Sequence, residues 1–411
     1  MTNKKQFKTL IILFMMFIII PFNYVFSDDS ASNDLDITAD SYLLIDNKTN
    51  HVLYKKNETK RMYPASITKI VTAIMVLENC SLDDTVTASY DAVMSIPEGY
   101  SSANIQIGEK LTVEQLLEVL LVHSANDAAN ILAEHVGGST ESFVTMMNTR
   151  LNELGITNTH FTNSFGMHDE NHYTTAEDLV KIMKFCLKNE TFRKIAGKAS
   201  CAIPATNKSG PRSYTSTNEL LNPNSSNYYK YLIAGKTGFT SQAKECLVSA
   251  AYRDDLELIG VVLYSNSRFT DSKNLYEYGY SNYSIKNIIN ENDLITSIKV
   301  SNATKKTEDL NLISKEKIDA LINNNSTSKI EPEISLNENI SAPIEEGAVL
   351  GKVTYNIEGV SYSTDLIAEH SVEKSYFYIF VLVGIFIILI LFIGFLKRNK
   401  RRKKSHRKNS Y

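Results

Sequence analysis

Three short strings run in order along the chain: Ser66-Ile67-Thr68-Lys69, Ser124-Ala125-Asn126 and Lys236-Thr237-Gly238. Residues three apart on a helix share a face, so the Ser66 hydroxyl and the Lys69 amine can meet. A serine hydroxyl is a poor nucleophile until a base removes its proton, and a neutral lysine amine within hydrogen-bond reach can do that. A free lysine titrates about three units above neutrality, so Lys69 needs burial or a neighbouring positive charge, and Lys236 can supply the charge. Ser124 can pass a proton towards a leaving amine, while Asn126 orients Lys69 or a substrate carbonyl. Gly238 lets another backbone approach its strand, and an open strand edge there binds a peptide by β-addition. Thr237 can hydrogen-bond a carboxylate, and the N–H groups of Ser66 and Phe239 can form an oxyanion hole. Each string also has a plainer structural meaning. Ser66, Ser124 and Asn126 are good helix caps, the lysines suit a surface, and Gly238 suits a bulge.

The elements needed to position these groups are legible in outline. Segments 41–46 and 51–54 alternate as two strands joined by a polar turn. After Pro64 a helix starts at Ala65 or Ser66, with Ile67, Ile70, Val71, Ile74 and Leu77 at helical spacing. Residues 111–138 read as two helices, with Thr112 as N-cap and Gly137-Gly138 as the stop. A further helix spans 141–154, and Thr175-Ala176-Glu177-Asp178 is a capping signal before another. The pattern then changes to strands at 232–239, 246–252 and 256–264, closed by a helix over 271–280. Strands at both ends with helices between predict an α+β domain: one antiparallel five-stranded sheet flanked by helices, plus a helical subdomain. Beyond residue 288 short alternating segments, among them 349–357 and 360–367, predict a small β-rich domain, with a stalk possible at 323–329.

The chain has 411 residues and a formal net charge of -3, so nothing global points to nucleic acid. Residues 376–396 carry no charge and are long enough to cross a bilayer as a helix. The basic tail at 397–411 suits the cytoplasmic side, which leaves the bulk of the chain outside. At the other end Lys4, Lys5 and Lys8 precede an apolar run, a secretory signal with cleavage after Ser27. The expected divisions are therefore 1–27 signal peptide, 36–286 catalytic domain, 289–370 β-rich domain, 376–396 membrane helix and 397–411 tail. Cys80, Cys186, Cys201 and Cys246 show neither zinc-site nor disulfide-framework spacing, so free thiols are expected.

A helix-start SxxK, an inter-helix SxN and a strand KTG together match the signature of the active-site-serine enzymes that interact with β-lactams. With PASITKIVTA, HSANDAAN, FTNSFGMHDENHYTTAEDL and AGKTGFT beside them, the chain resembles the low-molecular-weight penicillin-binding proteins that act as D-alanyl-D-alanine carboxypeptidases. The resemblance covers roughly residues 36–283. It implies Ser66 as the acylated nucleophile, Lys69 as base and Ser124 with Asn126 as the proton path. It also implies Lys236, Thr237, Gly238 and Phe239 on the substrate strand, and Arg268 on the substrate's terminal carboxylate. The implied substrate is a peptidoglycan stem pentapeptide losing its terminal D-alanine. β-Lactams are expected to acylate the same serine, and no metal, cofactor or nucleic acid is implied. Three departures stand out: Ala125 for a common glycine, Phe239 for a frequent histidine, and Lys244-Glu245-Cys246 in a segment that usually carries glycine. A class A β-lactamase would need a deacylating glutamate between the second and third strings, where Glu170 and Glu177 lie. A membrane-bound penicillin or cell-wall sensor without turnover is the non-enzymatic alternative.

Overall fold

The computed structural model describes residues 35–408, and the export signal expected at 1–27 lies outside them. Strands β1 (Ser41–Asp46), β2 (Val52–Lys56), β3 (Leu232–Thr240), β4 (Lys244–Arg253) and β5 (Leu256–Ser265) form the expected antiparallel sheet. Their order is β2-β1-β5-β4-β3. The N-terminal hairpin returns to the end of the domain, with Ser41 opposite Leu263 and Asp46 opposite Leu258. Both central strands are buried on both faces, so they read as almost unbroken apolar runs rather than alternating ones. One core fills the face towards the helices that carry the first two strings, and a second fills the opposite face. β3 lies at the sheet margin.

The helices are α1 (Lys69–Asn79), α2 (Tyr90–Met94), α3 (Val113–Val122), α4 (Asn126–Gly137), α5 (Thr140–Glu153), α6 (Ala176–Cys186), α7 (Glu190–Ala196) and α8 (Arg268–Asn282). Every residue of α1 from Lys69 to Val76 is buried, so this helix is a core element and not an amphipathic cover. Thr112 caps α3 in a reciprocal box with Gln115, and Gly138 at φ 75° ends α4 in the left-handed conformation. Two boundaries that bear on the site differ from expectation. A 3₁₀ turn (Ala65–Thr68) precedes α1, which begins only at Lys69. α8 begins at Arg268 rather than residue 271, because the Glu245 carboxylate accepts the Arg268 N–H (3.0 Å) that a helix start leaves without a partner.

α8 runs directly into the β-rich region. There β6 (Tyr283–Ile289) pairs with β9 (Ile318–Asn323). A five-stranded sheet follows from β7 (Leu294–Lys299), β8 (Asp309–Ser314), β12 (Val360–Ala368), β11 (Val349–Ile357) and β10 (Pro332–Leu336), in that spatial order. Leu310, Leu312, Val353 and Leu366 lie in its separate core. The final helix, α9 (Phe377–Lys408), contains the one stretch among the described residues long and apolar enough to cross a membrane.

Candidate active site

The 3₁₀ turn that carries Ser66 is held from three sides. Ala65 sits at φ 48°, in the left-handed region that an alanine adopts only when its surroundings impose it. Thr68 Oγ1 donates to Ala65 O (2.9 Å), and His172 Nε2 lies 2.8 Å from the same hydroxyl. His172 Nδ1 accepts the Thr162 N–H (3.1 Å), so Nε2 carries the proton and donates it to Thr68. Burial pushes this imidazole down to about 3, which keeps it neutral. Glycines make the other two supports. A Cβ on Gly166 (φ 93°) would stand 1.9 Å from Ala65 O, and one on Gly238 would stand 2.5 Å from Pro64 O. The turn is thus wedged between the 163–167 loop and β3.

Behind Ser66 lies the base candidate. Lys69 is fully buried, and its Nζ donates to Ser66 Oγ (2.9 Å) and to Phe165 O (2.8 Å). Burial, then the charge of Lys236, holds this amine well below its ordinary value, with Asp127 opposing. Lys236 is equally enclosed and donates to Ser124 Oγ (3.0 Å) and Thr237 O (2.9 Å). Burial first and Arg268 second push it down to about 7. Surface roles for the two lysines are therefore excluded.

Ser124 occupies the link between α3 and α4 at φ 65°. Ala125 is the N-cap of α4 and makes no side-chain cap bond, so neither Ser124 nor Asn126 serves as the cap. Thr68 holds that position for α1, again without a side-chain bond, so Ser66 is not a cap either. Asn126 is buried, and its Oδ1 has no hydrogen-bond partner although the residue lines the cleft. The bond expected to orient Lys69 comes instead from Phe165 O.

Ser66, Ser124, Asn126, Thr237, Gly238, Phe239 and Arg268 all line one cleft of about 580 Å³, with the two lysines directly behind the serines. Thr237 Oγ1 lies 2.6 Å from Thr217 Oγ1, and Arg268 Nη1 donates to Gly238 O (2.9 Å). Phe239 is 61% exposed and forms part of the rim. Sequence reasoning missed the 163–167 loop as part of the wall. Its signal was Asn163 ahead of a glycine: Asn163 Oδ1 collects the N–H groups of Gly166 (2.7 Å) and Met167 (2.9 Å), which turns the loop against Ser66. Neither intervening glutamate reaches the cleft. Glu170 is exposed, and Glu177 pairs with Lys181 at 2.7 Å.

This arrangement can take a proton from a serine hydroxyl, attack a carbonyl and carry a proton to a leaving group beside a sheet margin. Its class is that of the serine acyl-transfer enzymes. The peptidase S11 family, described as D-alanyl-D-alanine carboxypeptidase, matches residues 27–267, and the C-terminal domain described for penicillin-binding protein 5 matches 283–374. The D-alanyl-D-alanine carboxypeptidase DacF of Bacillus subtilis is 30% identical over 387 residues, covering 92% of this chain and 97% of its own. A D-alanyl-D-alanine carboxypeptidase of a Streptomyces species is 34% identical over 259 residues, covering 58% and 85% respectively. Among solved structures, penicillin binding protein 5 from Haemophilus influenzae aligns with a TM-score of 0.63 at 27% identity, over 82% of this chain and 98% of that one. A peptidoglycan synthesis regulatory factor (PBP3) from Streptococcus pneumoniae aligns at 0.68 and 26%, over 82% and 100%. The chain belongs to the D-alanyl-D-alanine carboxypeptidase family, serine-type hydrolases among the low-molecular-weight penicillin-binding proteins.

Proposed function

We propose that this protein removes the terminal D-alanine from peptidoglycan stem pentapeptides through an acyl-Ser66 ester, outside a bacterial membrane. The observation that carries this is the paired contact of Lys69 with Ser66 and Lys236 with Ser124 in a single cleft beside β3. The neutral Lys69 amine takes the Ser66 proton as Oγ bonds to the penultimate D-Ala carbonyl carbon. The N–H groups of Ser66 and Phe239 receive the developing oxyanion. The C–N bond breaks, and the proton returns through Ser124 to the amine of the departing D-alanine. Asn126 lines the cleft and orients a substrate carbonyl, and the acyl-side peptide lies along β3, while the missing side chain of Gly238 makes room for the Ser66 turn and not for the peptide. Arg268 and Thr237 hold the free terminal carboxylate, a task suited to guanidinium geometry. Water then hydrolyses the ester and returns free Ser66.

β-Lactams acylate the same hydroxyl. Among the described residues no glutamate lines the cleft to activate water, so their esters persist, unlike those of a class A β-lactamase. The catalytic domain expected at 36–286 closes with α8, because β6 (Tyr283–Ile289) pairs inside the β-rich region expected at 289–370; the span at 376–396 and the cytoplasmic tail at 397–411 follow, with 1–27 removed on export. Fluorescent penicillin should label the wild-type chain and not Ser66→Ala, and D-alanine release from diacyl-lysyl-D-Ala-D-Ala should disappear with the label. Undiminished labelling of the variant overturns the assignment of Ser66.

A further inference from the structure

We propose that Cys80, Asp84 and His135 form a zinc-binding site that ties together the far ends of the two helices that open at the catalytic cleft. A thiol sulfur, a carboxylate oxygen and an imidazole nitrogen from these residues all lie within 4.8 Å of one another. Ligand atoms at about 2.0–2.3 Å from a tetrahedral zinc stand a little closer together than this, so side-chain rotation brings the three onto one ion. Sulfur, nitrogen and carboxylate are the donors zinc takes, and three protein ligands leave one position for water.

The three donors are fixed by separate elements. Cys80 is the residue that ends α1, and its N–H bonds to Val76 O (2.9 Å). Asp84 lies on a short turn whose backbone is pinned to the start of α3, with Val113 N–H on Asp84 O (2.9 Å) and Glu114 N–H on Leu82 O (3.0 Å). One Asp84 oxygen accepts the Ser81 N–H (2.9 Å), which leaves the other for a cation. His135 stands in the last turn of α4 and is exposed. α1 begins at Lys69 and α4 at Asn126, so both helices run from the cleft to this cluster. At 1.5 Å per residue the cluster is about 13–16 Å from those reactive side chains, too far to touch substrate. Cys80 is also the one cysteine among the four that is not buried, and all four are free.

Binding replaces the thiol proton: the S–H bond breaks, the proton passes to solvent, and the sulfur bonds to Zn²⁺. The cation supplies the positive charge that favours thiolate over thiol. The sequence shows no zinc signature because His135 arrives from a different helix.

The test uses the full-length protein in detergent, reduced, stripped by a chelator and titrated with Co²⁺. Wild type takes up one Co²⁺ per chain with a thiolate-to-cobalt charge-transfer band, and one equivalent of Zn²⁺ removes the band. His135→Ala, a surface change, weakens binding by at least about tenfold, the lower bound for disturbing even an outer-shell partner. Cys80→Ala abolishes the band. Zn²⁺ raises the melting temperature of wild type and of neither variant, and both variants still take fluorescent penicillin at the wild-type rate. Absence of the band in wild type, or a band of full strength and affinity in His135→Ala, overturns the site. Loss of penicillin labelling bears on Ser66 and is scored separately.

Discussion

At the scale of single residues, the site is two amines buried where water cannot solvate them. Lys236 is titrated in the fold at about 7, against an ordinary 10.5. Between those values the unfolded chain binds the extra proton and the folded one does not, so stability rises with pH across that window. Below about pH 7 the fold carries a buried cation that donates to the neutral Ser124 hydroxyl and Thr237 carbonyl. Lys236→Met is therefore expected to raise the melting temperature, most at pH 6 and progressively less towards pH 10.5. Its penicillin acylation should fall about 100-fold or more, a loss comparable to removing one electrostatic contact to the transition state. The alkaline shift of what remains is the sharper readout. Without the Lys236 charge Lys69 holds its proton to higher pH, so the rising limb of the acylation profile moves upward. Melting curves and acylation rates over this range check both, and a stabilisation independent of pH contradicts the account. The side chains that the fold gathers in the cleft could be picked out in the sequence because the proposed chemistry constrains their type and spacing. Phe165 was not, since it serves Lys69 through a backbone carbonyl that every residue possesses.

At the scale of elements, the wedged turn at Ala65–Thr68 decides where the Ser66 hydroxyl points. Its left-handed Ala65 is stabilised by a relay from His172 through Thr68 to the Ala65 carbonyl. His172→Ala removes the buried donor and leaves the Thr162 N–H unpaired, so a loss of about 1–3 kcal/mol is expected. Acylation should slow as Ala65 relaxes. The pH dependence separates this from generic damage. His172 titrates at about 3 in the fold against 6.5 ordinarily, so the wild type loses stability as pH falls from 6.5 towards 3, where only the unfolded chain takes up the proton. The variant lacks that term, and its melting temperature should fall less steeply with acid. An equal slope in thermal melts from pH 6.5 to 4 would count against the neutral, donating histidine. Helical periodicity announced α1, and capping signals bounded α3 and α4, whereas the short α2 was not foreseen. The 3₁₀ turn before α1 stayed hidden because the room for a left-handed Ala65 (φ 48°) is left by Gly166 and Gly238, which lie far away in sequence.

At the scale of the molecule, the catalytic region, the β-rich region and the apolar helix follow one another without slack. Tyr283 of β6 and Leu321 of β9 belong to the same core as Leu256, Leu258, Leu275 and Tyr276, so the β-rich region closes one face of the catalytic core. The apolar run and the alternating segments were visible in the sequence. This docking was not, since alternation says which residues are buried but not against which layer. At the other end Ser375 N–H bonds to Asn302 O (2.7 Å), and α9 begins two residues later. Two truncations should therefore behave differently. A chain ending at Lys374 removes the apolar helix, the tail and the single Ser375–Asn302 backbone bond, and should be soluble without detergent, with penicillin acylation within about twofold of the full chain. A chain ending at Asn282 strips Tyr283 and Leu321 from the core. Burial of two such side chains is worth about 1.5–3 kcal/mol each, so its melting temperature should drop and aggregation should follow. Sedimentation after an alkaline wash of membranes distinguishes the full chain, which should pellet, from the one ending at Lys374, which should not. If the shorter chain ending at Asn282 melts at the same temperature as the one ending at Lys374, the β-rich region contributes nothing to the catalytic core and the docking has no energetic weight.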